Sequence, residues 1–241
     1  MVTSVYNHKG GTGKTTTTIN LGRALKDLGY NILLVDLDPQ ANLTYSLGVE
    51  KKNAYEVTLS SKSVVKTNEG LDLLPNFASP DFLVDYEFPS VTALGDELAN
   101  FFSEYDFVFI DCPPAMNMTV VNALLASDTL LIPVLLDALS LEGLSQVLDS
   151  ISKLLIDYDK NISLTGVLPV MVNSSRHLTR DVREYIKANF NVTLFDNHIR
   201  MNVKVAEAPS HGKSVIEYNA NSNGAKDYNK VAEEFLKLIE R

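Results

Sequence analysis

Three glycines, two lysines and a run of threonines stand together near the start of this chain, in Asn7-His8-Lys9-Gly10-Gly11-Thr12-Gly13-Lys14-Thr15-Thr16. Successive backbone N–H groups can close around a polyphosphate only where the chain approaches it tightly, and glycine permits that approach. A helix opening directly behind the loop adds unpaired N–H groups and roughly half a positive charge. In such a loop Lys14 bridges the β- and γ-phosphates, the Thr15 hydroxyl ligates Mg²⁺, and Thr16 caps the loop near the α-phosphate. An ordinary glycine turn before a threonine-capped helix is the plain alternative, but it has no need of Lys14 and Thr15 in that order. The strict pattern G-x-x-x-x-G-K-S/T is not met, because His8 stands at its first glycine position.

Carboxylates recur at the ends of two apolar runs. "LLVDLDPQANLT" (33–44) carries Asp36 and Asp38, and "FVFIDCPP" (107–114) carries Asp111. Residues one apart at a strand end point to opposite faces, so Asp36 and Asp38 are expected to have different roles. A merely structural Asp-x-Asp-Pro turn is the alternative.

These residues need a frame that brings them to one edge. "MVTSVYNHKG" reads as a strand breaking into the glycine loop, and "TTTTINLGRALKDLG" as a helix with Ile19, Leu21, Ala24, Leu25 and Leu28 at helical spacing and Gly29 as its stop. "NILLVDLD", "FVFIDCPP", "DTLLIPVLLD" (128–137) and "LTGVLPVMVN" (164–173) are too short and too apolar for anything but strands buried on both faces. "LEGLSQVLDSISKLLIDY" and "TRDVREYIKANF" are amphipathic helices between them, and "KVAEEFLKLIE" closes the chain as a helix. Strands alternating with helices predict an α/β fold: a doubly wound, mostly parallel sheet with helices on both faces and ligands along the strand C-termini. With no linker, repeat or low-complexity segment, residues 1–241 read as one domain.

The composition suits a sizeable core, at 45% hydrophobic and 21% charged over 241 residues. No apolar run approaches the roughly 18 residues that span a bilayer, and the N-terminus lacks signal-peptide character, so a cytoplasmic protein is expected. Cys112 stands alone, which excludes an intrachain disulfide and a cysteine cluster. The net charge of −9 argues against a generally basic nucleic-acid protein. Its distribution is uneven: between Lys66 and Lys153 there is no Lys or Arg but fourteen acids, and the rest carries 21 basic against 16 acidic residues. A solvated acidic face explains this, and so does a molecule acidic on one side and mildly basic on the other, able to meet an anionic partner.

Lys9, directly ahead of Gly10-Gly11, gives the loop a variant form that resembles the deviant Walker A box of the ParA/MinD family of P-loop ATPases. The resemblance implies that Lys9 reaches across a homodimer to the nucleotide of the other subunit; a surface lysine at the loop shoulder is the alternative. It implies further that Asp38 positions the attacking water, that Asp36 sits nearer the metal, and that Asp111 of the Walker B box holds Mg²⁺ through water. "EAPSHGKSVIEYNANSNGAKDYNKVAEEF" (207–235) resembles the C-terminal signature of the ParA/Soj partition branch, from which Asn173 and Pro209 are implied as adenine contacts. Four boxes in order extend the similarity over nearly the whole chain.

Within the family, one cysteine is too few for the iron–sulfur branches. The final segment balances Glu233, Glu234 and Glu240 against Lys230, Lys237 and Arg241, so its Val231, Phe235, Leu238 stripe is expected on the core rather than on a membrane. Lys9 lies so near Met1 that an N-terminal helix-turn-helix domain is not expected, which leaves the short, Soj-like type. That type implies an ATP-bound dimer, nonspecific DNA binding with nucleoid association, slow ATP hydrolysis, and stimulation by a ParB-type centromere-binding partner. The DNA-contact candidates are Arg176, Arg180, Arg183, Lys187, Arg200, Lys204, Lys213 and Lys226; a solvated helix face is the alternative reading of these cations. "NANSNGA", with Asn221 and Asn223, stands where relatives often carry basic residues. Two other functions remain open at this point: an ATP-switched scaffold that positions a protein cargo without binding DNA, and a P-loop enzyme that phosphorylates a small molecule.

Overall fold

Short runs, most of them apolar and buried, form the strands. They are Val2–Val5 (β1), Ile32–Asp36 (β2), Val65–Lys66 (β3), Asp72–Leu74 (β4), Phe107–Asp111 (β5), Thr129–Leu135 (β6) and Ser163–Val170 (β7). Every residue of β1, β2 and β5 is buried. The computed structural model describes residues 1–50, 63–76, 88, 90–99, 102–173 and 177–240.

The strands form one sheet in the order β3-β4-β2-β5-β1-β6-β7. All neighbours are parallel except the edge pair β3 and β4. The chain therefore leaves β1 toward one side of the sheet for β2, and later returns to its other side for β6. This reversal beside β1 is the switch point at which open α/β sheets hold ligands, and the glycine loop follows β1 directly.

The helices are Lys14–Asp27 (α1), Asn42–Ser46 (α2), Ala93–Ala99 (α3), Met118–Ala126 (α4), Ala138–Asp157 (α5), His177–Asn189 (α6), Val203–Glu207 (α7), Val215–Tyr218 (α8) and Asn223–Ile239 (α9). One core layer packs α3, α4, α5 and α6 on the sheet through Leu94, Val120, Leu144 and Val182. The opposite layer packs α1, α8 and α9 through Leu25, Val215, Val231 and Phe235. In that layer Phe235 meets Phe107 and Phe109 at ring-centroid separations of 5.9 and 5.6 Å, within the range of favourable aromatic pairs. Gly22 lets α1 sit close on β2, since a Cβ there would lie 2.7 Å from Leu34 Cδ2.

The expected elements are present, with differences that local chemistry explains. Gly29 ends α1 with a positive φ of 98°, the left-handed position glycine favours. α5 opens three residues before the expected stretch, because the Asp137 carboxylate accepts from Ser140 N. α9 begins at Asn223 rather than near Lys230, because the Ser222 hydroxyl accepts from Ala225 N. Val231 and Phe235 are buried and Leu238 is partly buried, so the terminal stripe packs inward as expected. The antiparallel β3/β4 edge and the short α2, α3, α4, α7 and α8 had no counterpart in the sequence reading. No described helix is long and apolar enough to cross a membrane.

Candidate nucleotide site

Backbone geometry makes the loop open. Gly11 and Gly13 take positive φ of 72° and 75°, and a Cβ at Gly10 or Gly11 would meet no atom within 4 Å. Asn7 anchors the loop's start: its Nδ2 donates to Pro133 O in β6 at 2.8 Å and its Oδ1 accepts from Lys9 N at 3.0 Å. Whereas α4, α5, α8 and α9 are each preceded by a side chain accepting a backbone N–H, α1 follows Gly13 with no side-chain cap. Its first N–H groups are left to whatever anion lies in the loop.

Lys14 folds back over that loop and is 7% exposed, with Nζ donating to Lys9 O at 3.2 Å. Thr12 Oγ1 donates to the same carbonyl at 3.2 Å. Burial pulls the Lys14 ammonium below its usual range, opposed by Asp111. Thr15 Oγ1 donates to Asp111 Oδ2 at 2.6 Å. The other oxygen, Asp111 Oδ1, is buried without a hydrogen-bond partner among the described residues. Burial, with Asp36 alongside, pushes the Asp111 carboxyl well above the usual carboxylate range. A buried oxygen left unpaired beside a hydroxyl is a hard donor set that fits Mg²⁺. A divalent cation there would reverse the carboxyl shift.

Asp36 and Asp38 differ as their alternation requires. Asp36 is the register partner of Asp111 across β2 and β5, yet both its oxygens face protein donors. Oδ1 accepts from Asp38 N at 3.2 Å, and Oδ2 accepts from Thr44 N at 2.8 Å and Thr44 Oγ1 at 2.6 Å. Burial still pushes its carboxyl up to about 7, against those hydrogen bonds. Asp36 thus ties α2 to the sheet as well as lying near the Asp111 carboxylate. Asp38 Oδ1 accepts from Gln40 N at 2.9 Å, and Ala41, at φ 52°, closes the turn with its N–H on Asp38 O at 2.8 Å.

Lys9 Nζ lies 3.7 Å from Asp137 Oδ2, both side chains 41% exposed. Asn173 follows β7, whose end reaches the loop: a Cβ on Gly13 would lie 3.7 Å from Val170 Cγ2 and 3.9 Å from Met171 Cε. Pro209 lies in the turn Ala208–His211, which leads to Gly212 against Gly48 just beyond α2. Thr16 opens α1 and its carbonyl accepts from Asn20 Nδ2 at 2.7 Å. Asn7, Thr44, Asn76 and Asp137 belong to the site and were missed in the sequence. Only Asp137 had a readable signal, as an acidic N-cap before a helix.

Residues 1–165 match the model of an AAA domain. The chain is 36% identical to the sporulation initiation inhibitor protein Soj of Bacillus subtilis, over 97% of this chain and 97% of that protein. It is 34% identical to the chromosome partitioning protein ParA of Caulobacter vibrioides, over 98% of this chain and 93% of the relative. The chain belongs to the ParA/Soj family of partition ATPases. Among solved structures, cobyrinic acid a,c-diamide synthase from Mycobacterium smegmatis with bound ATP analogue and magnesium superposes with a TM-score of 0.83 at 28% identity, covering 99% of this chain and 95% of that one.

The ParA/Soj resemblance had singled out a C-terminal set of cations, and the structure treats them unequally. Arg200 is fixed by Asp227: its Nε and Nη2 donate to the carboxylate at 2.9 and 2.6 Å, and its backbone N donates at 3.0 Å. Arg183 Nη2 donates to Phe195 O at 2.7 Å and to Asp196 O at 3.0 Å. Segment 193–201 runs beside β7; on its outer edge Arg183 covers two backbone carbonyls and Asp227 the N–H of Arg200, groups that would otherwise stand open. Arg180 pairs with Glu184, Lys187 with Asp196, Lys204 with Glu207 and Lys213 with Glu217. Lys226 is exposed, with no ion pair among the described residues. Arg176 lies outside the described residues.

Proposed function

We propose that this chain is an ATP-switched partition ATPase that dimerises over Mg-ATP, binds DNA without sequence preference, and positions or segregates it with a ParB-type partner. The observation carrying this reading is the Thr15–Asp111 hydrogen bond, with Asp111 Oδ1 left buried and unpaired beside the uncapped start of α1. Thr15 and Asp111 would hold Mg²⁺, which neutralises charge on the β- and γ-phosphates. The Gly10–Gly13 backbone cradles the phosphates, and Lys14 turns from Lys9 O to their oxygens. Asp38 orients a water in line with the γ-phosphorus, the bond to the ADP oxygen breaks, and ADP and phosphate leave. Lys9, whose side chain among the described residues holds only an exposed pair with Asp137, is free to reach a second subunit's nucleotide and complete charge neutralisation there. Asn173 and Pro209 flank the adenine. With no arginine finger assigned, turnover is slow until a partner acts.

A second reading, a scaffold for protein cargo that does not bind DNA, is favoured by the structural use of Arg183 and Arg200 and by Asn221 and Asn223. Electrophoretic shift of bulk DNA separates the two. The first reading predicts retention that requires ATP and Mg²⁺ and weakens steeply with salt; no shift at low salt supports the scaffold.

A further inference from the structure

We propose that Asn76 is a positioning residue for Asp38, an inference that rests on the reading of Asp38 as the group orienting the attacking water. Asn76 stands two residues beyond β4 and is 8% exposed. Its Nδ2 donates to Asp38 O at 3.0 Å, and its backbone N donates to Thr44 Oγ1 at 2.9 Å. Thr44 Oγ1 in turn donates to Asp36 Oδ2 at 2.6 Å, and Asp36 Oδ1 accepts from Asp38 N. One residue therefore closes a loop of hydrogen bonds around Asp38: through its amide directly, and through Thr44 and Asp36 from the other side.

The consequence is a fixed main chain at the residue whose side chain must be aimed. Asp38 N is held by Asp36 and Asp38 O by both Ala41 N and Asn76 Nδ2. Its side chain has one oxygen on Gln40 N, and Oδ2 has no partner among the described residues. A carboxylate so braced can present Oδ2 to a water at fixed distance, and misplacement by about an ångström costs up to roughly 100-fold in such a step. The brace is also separable from folding. Truncating Asn76 leaves Asp38 O on Ala41 N and leaves the main-chain bond to Thr44, so neither of these groups is stranded. An aspartate at 76 keeps the size but cannot donate, and faces the Asp38 carbonyl with a like partial charge.

The test is single-turnover ATP hydrolysis, ATP affinity and melting temperature for the parent, Asn76→Ala, Asn76→Asp and Asp38→Ala. The expected result is a fall in the hydrolysis rate of about 10-fold for Asn76→Ala and more for Asn76→Asp, with ATP affinity within about twofold of the parent. If Asp38→Ala abolishes hydrolysis while both Asn76 variants turn over like the parent, Asn76 does not position Asp38. If rate, affinity and melting temperature fall together, Asn76 is structural only and the inference fails. If Asp38→Ala itself hydrolyses normally, the reading of Asp38 fails and takes the inference with it.

Discussion

The phosphate loop and the C-terminal flank are both furnished with cations, and they use them in opposite ways. In the loop, among the described residues, Lys14 is buried against one carbonyl and the Lys9 side chain holds one exposed partner, so each is available to an arriving phosphate. On the flank, Arg183 holds backbone carbonyls at the sheet's outer edge and Arg200 is paired with the buried Asp227 carboxylate, so part of their donor capacity is already committed to the fold. The difference teaches that a cation's type and place in the sequence say what it can do only where backbone geometry leaves it nothing else to hold. A glycine loop before an uncapped helix does that; a helix face above an open strand edge does not.

This contrast can be broken at its strongest point first. Lys14→Ala is expected to cost about 3 kcal/mol in ATP binding, roughly 100-fold in affinity, with melting temperature nearly unchanged; calorimetric titration reads the first and a thermal scan the second. Arg200→Ala should do the reverse, losing about 2 kcal/mol of stability in urea because the buried Asp227 carboxylate keeps no guanidinium, while ATP affinity stays. If Arg200→Ala were as stable as the parent yet released DNA, the flank would be a phosphate surface after all. Lys226→Ala should leave stability within about 0.5 kcal/mol and lower the salt slope of DNA binding by about one. The smallest effect belongs to Asp137→Asn, which keeps the cap on α5 and removes only an exposed ion pair: ATP-dependent association should shift by less than about threefold.

Much of the frame was legible because both-faces-buried strands and a glycine loop each follow from a rule with few exceptions. β1, β2, β5, β6 and β7 read directly as short apolar runs, and Thr15 and Asp111, singled out from two separate motifs, lie within hydrogen-bond distance. What escaped was set by contacts distant in sequence. Nothing near Thr44 or Asn76 announces that they brace Asp36 and Asp38, because that bond network joins residues 38 positions apart. The commitment of Arg183 to Phe195 O and of Arg200 to Asp227 likewise depends on where segment 193–201 passes β7. The acidic middle was legible as charge but not as roles. Glu69 is buried against Arg23, so part of that acidity is internal, whereas Asp106 and Asp128 stay exposed while accepting from the backbone N–H groups of Asn31 and Val2.

The central claim is that nucleotide state sets subunit association through Lys9. Mass in solution by light scattering, with ADP and with ATP plus Mg²⁺, tests it most directly on the parent, on Asp38→Ala to hold the ATP state, and on Lys9→Ala. The account predicts that ATP doubles the mass of Asp38→Ala and that adding Lys9→Ala to it returns the monomer. A mass that stays the same in every nucleotide, or a dimer that persists without Lys9, would contradict it.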